Sequence, residues 1–220
     1  LARVPAKVSV TSIVHKAEQT TLERPGFLSK DGLTAAEMGT ALHAFLEHAD
    51  FAALAEAKAA GTLDEAIGAE RDRQAAAQLT APEIAAKLDA VRIRRFVQSE
   101  AFAKICAAQQ VLRELDFITA LPASAVLAAQ GSARPQADSA AAQARVLVQG
   151  IADLVLVFDE HAEILDYKTD RSRDAQYYID EYAAQLRLYR RAFAQRLSVP
   201  VTKLTIYSFA IGDEIDVPLA

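Results

Sequence analysis

The sequence predicts an α/β domain: a mixed central β-sheet flanked by helices, with a helical region towards its N-terminus. Three observations predict it. Of the 220 residues 52% are hydrophobic, but alanine inflates that share, and alanine forms helix well and fills a core poorly, so much helix should surround a modest sheet. The β-branched and bulky apolar residues gather instead in "RVLVQGIADLVLVFDEHAEILDYKTD" (145–170). Along the chain the order is helices, strands, a helix and a strand, which suits a sheet covered by helices.

The opening "LARVPAKVSVTSI" has no initiator Met and has the look of a linker, which suggests a domain excised from a larger protein. In "DGLTAAEMGTALHAFLEHADF" (31–51), Thr34 and Glu37 have capping-box spacing, so a helix should begin near Ala35. Met38, Leu42, Phe45, Leu46 and Ala49 form its apolar stripe, with Gly39 and His43 one turn apart at the stripe's edge. Residues 52–108 read as further helices broken near Gly61, Gly68 and Pro82, a helical insertion ahead of a β-rich core at 109–212. "RELDFITAL" (113–121) alternates as a strand does, Leu115 and Phe117 on one side and Glu114 and Asp116 on the other. The stretch 131–144 is poor in large apolar residues and is expected to be a loop. The 145–170 segment, two apolar runs around "DEHA", is expected to be a β-hairpin; "YYIDEYAAQLRLYRRAFAQRL" (177–197) follows as a helix ending before Pro200, and 201–212 as a strand.

Composition excludes several function classes. A lone Cys106 can form no internal disulfide, and no Cys/His cluster offers a zinc or iron–sulfur site, which favours a reducing, cytoplasmic setting. No apolar run approaches the roughly 20 residues of a membrane span. A net charge of −5 argues against binding nucleic acid by bulk electrostatics, although "RIRRF" (92–96) or "RLYRRAF" (187–193) could form a local basic groove as well as a solvated helix face. Neither a Walker loop nor a Gly-x-Ser-x-Gly elbow is present, so ATPase and serine hydrolase chemistry find no support.

The chemistry concentrates in the hairpin. Asp153 interrupts the apolar "GIADLVLVF", where an ionised carboxylate needs a partner or a metal. With "DEHA" (159–162) as a four-residue loop, Phe158 faces Glu163 and Asp153 lies opposite Lys168, so Asp153, Asp166 and Lys168 share one face. An Asp–Lys ion pair at a strand end would explain part of this. A pair of like-charged acids, however, is poor structural glue and a good site for a hard cation such as Mg²⁺. Two carboxylates holding a cation beside an ammonium suit phosphodiester hydrolysis, because the cation polarises a phosphate oxygen and activates water while the ammonium offsets developing charge.

This Asp, spacer, Asp-x-Lys pattern resembles the PD-(D/E)xK nucleases, and further motifs narrow the resemblance to their RecB-like branch. "GTALH" (39–43) looks like that branch's Gly-x-x-x-His helix, "GIAD" (150–153) and "LDYKTD" (165–170) like its second and third motifs, and "QLRLY" (185–189) like its Gln-x-x-x-Tyr helix, all in the family's order. The whole, over residues 8–212, is most similar to the C-terminal nuclease domains of the AddA subunits of bacterial AddAB helicase-nucleases. The resemblance implies a restriction-endonuclease-like core. It implies that His43, Asp153, Asp166 and the main-chain carbonyl of Tyr167 bind Mg²⁺, with Mn²⁺ a natural substitute, and that Lys168 is catalytic. It implies single-stranded DNA as substrate, Gln185 and Tyr189 beside the DNA, and, as partners, the chain's own ATP-binding helicase domains and an AddB-type subunit. Arg171, directly after the third motif, could meet a phosphate. "ELDF" (114–117) looks like the family's Glu-containing strand, and for Glu114 a buried ion pair is expected. Two alternatives stay open: a free-standing nuclease of the same branch, and a non-catalytic DNA-binding or subunit-docking module on the same fold.

Overall fold

The computed structural model describes residues 7–10, 34–129 and 144–219. In chain order the elements are β1 (Lys7–Ser9), α1 (Ala35–His48), α2 (Phe51–Ala60), α3 (Leu63–Ala76), α4 (Pro82–Ala85), α5 (Ala90–Gln98), α6 (Glu100–Ala107), β2 (Gln110–Pro122), α7 (Ala123–Ala129), β3 (Arg145–Val157), β4 (Ala162–Lys168), α8 (Ala175–Phe193), β5 (Val201–Ser208) and β6 (Asp213–Asp216). The expected mixed sheet flanked by helices is present.

Local chemistry sets the helix ends. Thr34 and Glu37 form the reciprocal capping box, the Thr34 hydroxyl accepting from the Glu37 N–H at 3.2 Å and the Glu37 carboxylate from the Thr34 N–H at 2.8 Å, so α1 starts at Ala35 as its spacing predicts. Asp50, Asp89 and Ser99 cap α2, α5 and α6, and Gly61 closes α2 with a left-handed φ of 77°. Gly68, expected as a break, lies inside α3: one glycine costs a helix only about 1 kcal/mol, and packing outweighs it.

Strand β3 is the hub of the sheet. Antiparallel β2 runs along one edge of it, from Gln110 opposite Val157 to Pro122 opposite Arg145. Its other edge is shared by β1, parallel at Leu147 to Gln149, and by β4, antiparallel at Leu154 to Val157; β5 then pairs in parallel with β4, and β6 antiparallel with β5. The linker reading of the N-terminal segment therefore fails at Lys7–Ser9, which are sheet, and at Val10, which is 1% exposed. The rest of that segment, and residues 131–143 of the expected loop, lie outside the described residues.

Apolar residues alternate to the two faces of the sheet and build two cores. On one face Phe117, Val148, Val155 and Ile164 pack with Tyr178, Leu186 and Phe193 of α8. On the other, Leu154, Leu156, Leu165 and Tyr167 pack with Phe45 of α1, Phe96 of α5 and Phe102 of α6, so the helices of the 52–108 region cover the sheet directly.

The alternation skips at one level. Val146, Val148 and Ala152 of β3 face the α8 core, yet beyond Asp153 that core takes Val155, while Leu154 and Leu156 turn to the opposite core. In β2 the same core takes Phe117 and Leu115 and then, past Glu114, Leu112, while Val111 turns away. Glu114 and Asp153 thus mark a shared irregularity, the behaviour of a bulge that re-aims side chains.

Candidate active site at a break in the sheet

Glu114 and Asp153 drop out of the β2–β3 ladder, although their neighbours Arg113–Leu154 and Leu115–Ala152 stay in register. Glu114 has φ 44°, a left-handed conformation that a side chain other than glycine rarely adopts. On the other edge the β3–β4 pairing stops at Leu154–Leu165. There Asp153 Oδ2 accepts the Tyr167 N–H at 2.6 Å, the carboxylate taking the place of a ladder carbonyl.

The hairpin loop is Phe158–His161, because Val157 pairs with Ala162. Extending that register sets Asp153 opposite Asp166, which corrects the expected Asp153–Lys168 pairing by two residues. Alternation breaks at Asp153, but the acids and the lysine still converge, with the Asp153 charge acting on both Asp166 and Lys168. The ammonium of Lys168 meets Asp166 Oδ2 at 2.6 Å rather than Asp153.

Asp166 is 1% exposed. Burial pushes its carboxyl above the ordinary range against the opposing pull of the Lys168 charge, and the Asp153 charge adds to the rise. Its Oδ1 accepts from the Gln185 amide at 3.4 Å, and its Oδ2 is paired with the Lys168 ammonium at 2.6 Å. Desolvation would lower the Lys168 pKa, but Asp166 and Asp153 outweigh it and hold the ammonium charged. That ammonium also lies 4.3 Å from the centre of the Tyr182 ring, whose hydroxyl donates to Asp170 at 3.0 Å.

From the opposite layer α1 brings His43, its Nδ1 3.5 Å from Asp153 Oδ2 and its ring edge-on to Tyr167. Helix α1 approaches this closely because Gly39 has no side chain: a Cβ there would lie 2.6 Å from Thr169 Oγ1. Gly150 plays the matching part on β3, where a Cβ would come within 2.9 Å of the Phe117 ring and 3.1 Å of the Tyr189 ring. The glycines of the "GTALH" and "GIAD" motifs are spacers for close packing.

Glu114 departs from expectation. It forms no ion pair among the described residues; the neighbouring Arg113 turns away to the carbonyls of Leu46, Glu47 and Ala49 at the end of α1. Burial, reinforced by the charge of Asp153, pushes the Glu114 carboxyl up to about 7. One potential ligand atom from each of His43, Glu114 and Asp153 lies within 4.8 Å of the others. One nitrogen and two carboxylate oxygens form a donor set for Mg²⁺ or Mn²⁺, and the Glu114 carboxyl, raised by burial and by the charge of Asp153, is what a cation would relieve. These residues fit a divalent metal. His43 and Glu114 open on a cavity of about 520 Å³ lined also by Glu47, Tyr167, Lys168 and Asp170.

Gln185 and Tyr189 are not surface groups. They are 7% and 3% exposed, and the Gln185 amide donates to the Tyr189 hydroxyl at 2.7 Å as well as to Asp166. Helical spacing put them on one face; the face turned inward against the sheet, so the expected contact with DNA gives way to support of Asp166. Arg171 is exposed in the turn after β4. The importance of Glu114 was legible only as a charged residue in an otherwise strand-like run.

Comparison with known proteins agrees with this geometry. The chain is 32% identical over 204 residues to an ATP-dependent helicase/nuclease subunit of Geobacillus thermodenitrificans, a match that covers 88% of this chain and 15% of that protein. The subunits of the same description from Geobacillus kaustophilus and Heliobacterium modesticaldum are 33% and 34% identical, covering 86% and 87% of this chain and 15% and 13% of their own. The chain thus spans about one seventh of the length of these relatives. Residues 16–215 match the family model described as the PD-(D/E)XK nuclease superfamily. A buried Asp-x-Lys on one strand, an Asp at the fork with the next and a histidine brought in by a glycine-spaced helix are the parts of one site, and the chain belongs to the PD-(D/E)XK nuclease superfamily.

Proposed function

We propose that this domain is a Mg²⁺- or Mn²⁺-dependent deoxyribonuclease that hydrolyses phosphodiester bonds of single-stranded DNA. The observation that carries the reading is the convergence of His43, Glu114 and Asp153 beside the buried Asp166–Lys168 pair. His43, Glu114, Asp153, Asp166 and the carbonyl of Tyr167 would hold the metal, which when bound polarises a phosphate oxygen and lowers the pKa of coordinated water. Lys168, held protonated, offsets negative charge building on the phosphate in the transition state, and is worth most in a buried, low-dielectric site. Gln185 and Tyr189 fix the rotamer of Asp166, and the Tyr182 ring holds the ammonium from the side.

The relatives' description as subunits of ATP-dependent helicase/nucleases supports a setting within such an enzyme; the setting proposed with it is the bacterial cytoplasm and double-strand-break repair. There the helicase part binds ATP and delivers the strand, and the partner is an AddB-type subunit. Among the described residues no helix is long and apolar enough to cross a membrane.

The test is cleavage of labelled single-stranded DNA by the domain in Mg²⁺, Mn²⁺ or EDTA, beside Asp166→Ala and Lys168→Ala. Metal-dependent cutting lost in both variants supports the assignment. If neither cutting nor Mn²⁺ binding by calorimetry occurs, the non-catalytic module replaces it.

A further inference from the structure

A second cavity, of about 330 Å³, adjoins the candidate active site and shares Gly39 and Thr169 with it. Its electrostatic character is opposite. The first cavity is lined by the carboxylates of Glu47, Glu114 and Asp170, with Lys168 the opposing ammonium, as a cation site requires. The second is lined by Lys87, Arg92 and Arg171, with Asp89 the opposing carboxylate. That carboxylate is already engaged: Oδ1 caps α5 through the Val91 and Arg92 N–H groups, and Oδ2 lies 3.3 Å from Arg92. Lys87 and Arg171 meet no carboxylate within ion-pair distance among the described residues, and both are exposed. The three cations come from the turn before α5, from α5 and from the turn after β4, so the fold gathers them; they are not a run of sequence. They do so on a chain with 24 basic against 29 acidic residues, where a basic concavity is not the default.

We propose that this second cavity is a phosphate subsite for the DNA strand on one side of the bond being cut, with Lys87, Arg92 and Arg171 holding the backbone. The inference rests on the nuclease reading above. A polyanion that places one phosphate in the acidic cavity needs its neighbouring phosphates met by positive charge. Gly39 and Thr169 line both cavities, so the two are contiguous. Cations of this kind give affinity and register without sequence preference.

The experiment compares the domain with its Lys87→Ala/Arg92→Ala variant. Binding of a fluorescent single-stranded oligonucleotide is measured across a salt series, and KM for cleavage is measured with Mn²⁺ on a dinucleotide and on the long strand. Removing two backbone contacts should weaken long-strand binding by about tenfold or more and flatten the log–log salt slope by about 1.4. KM should rise more for the long strand than for the dinucleotide. A Lys87→Arg/Arg92→Lys variant, which keeps both charges, should restore binding. The subsite is overturned if the alanine variant binds with unchanged affinity and slope, if the charge-keeping variant fails to recover, or if the wild-type domain does not bind the strand. If salt-dependent binding drops as expected but the wild type cleaves no phosphodiester, the subsite stands and the hydrolytic reading fails. Cleavage that Asp166→Ala abolishes while the alanine variant leaves KM and slope unaltered has the reverse meaning.

Discussion

At the scale of single residues the site is built from departures from regular structure. Glu114 holds a left-handed backbone at a cost of about 1 kcal/mol or more, and burial, with the charge of Asp153 beside it, pushes its carboxyl upward. Glu114→Gly should relieve both. The expected outcome is a higher melting temperature in EDTA together with weaker Mn²⁺ binding by calorimetry; a lower melting temperature would mean that the conformation is not a source of strain. Gly39 is the opposite case, a residue whose absent side chain is the function. Gly39→Ala puts a methyl group 2.6 Å from Thr169 Oγ1, so the Thr169 side chain must rotate away or α1 and the turn after β4 must part. Overpacking of this kind costs about 1–3 kcal/mol. A fall in kcat on DNA larger than the rise in KM would show that His43 has moved from its place opposite Asp153.

At the scale of elements, α1 is held by a buried polar network. The Glu70 carboxylate of α3, 7% exposed, accepts from Arg73 at 2.6 and 2.7 Å, from Gln74 at 2.8 Å and from the Asp50 N–H at 3.3 Å. Arg73 and Gln74 in turn donate to the carbonyls of His48 and Phe45, in the C-terminal part of the helix that carries His43. Burial opposes the charge on Glu70, but the hydrogen bonds from Arg73 and Gln74 outweigh it and hold its carboxyl below the ordinary value of 4.5. A carboxyl lowered in the fold contributes stability that is present above its unfolded pKa and is lost as pH falls through the folded one. Glu70→Gln should therefore lower stability by about 2–3 kcal/mol at neutral pH, with the gap to wild type closing as pH drops below 4.5. Urea melts at several pH values would check this, and a gap constant with pH would assign the loss to packing.

For the whole molecule, two cores sandwich one sheet, and the site sits where both layers reach its irregular end: His43 arrives from the α1 side and Gln185 from the α8 side. A metal bound at such a junction ties the layers together in the folded state alone. Mn²⁺ at about 100 times its Kd should raise stability by about 2.7 kcal/mol, a melting shift of roughly 5–10 °C in a chain of this size. Asp153→Ala should lose that shift while keeping its fold, measured by differential scanning fluorimetry with and without EDTA.

The sequence by itself determined the elements and the residue types of the site. The Thr34–Glu37 box, the alternation of 145–170 and the turn between the apolar runs are short-range physics, in which each residue meets partners a few positions away. Asp153, Asp166 and Lys168 were legible because ionisable groups inside apolar strands are costly, whereas His43, at the edge of an apolar stripe, was singled out only by the resemblance of "GTALH" to the family's Gly-x-x-x-His helix. Tertiary structure alone decided the rest. Facing in a strand follows from counting in twos, and the count fails where β2 and β3 both skip a beat, so the meeting of Glu114 with Asp153 and His43 could not be counted out. The inward turn of Gln185 and Tyr189, the sheet at Lys7–Ser9 and the gathering of Lys87, Arg92 and Arg171 share that reason: each depends on which of two faces a distant element covers, and that choice is settled by packing across the whole domain.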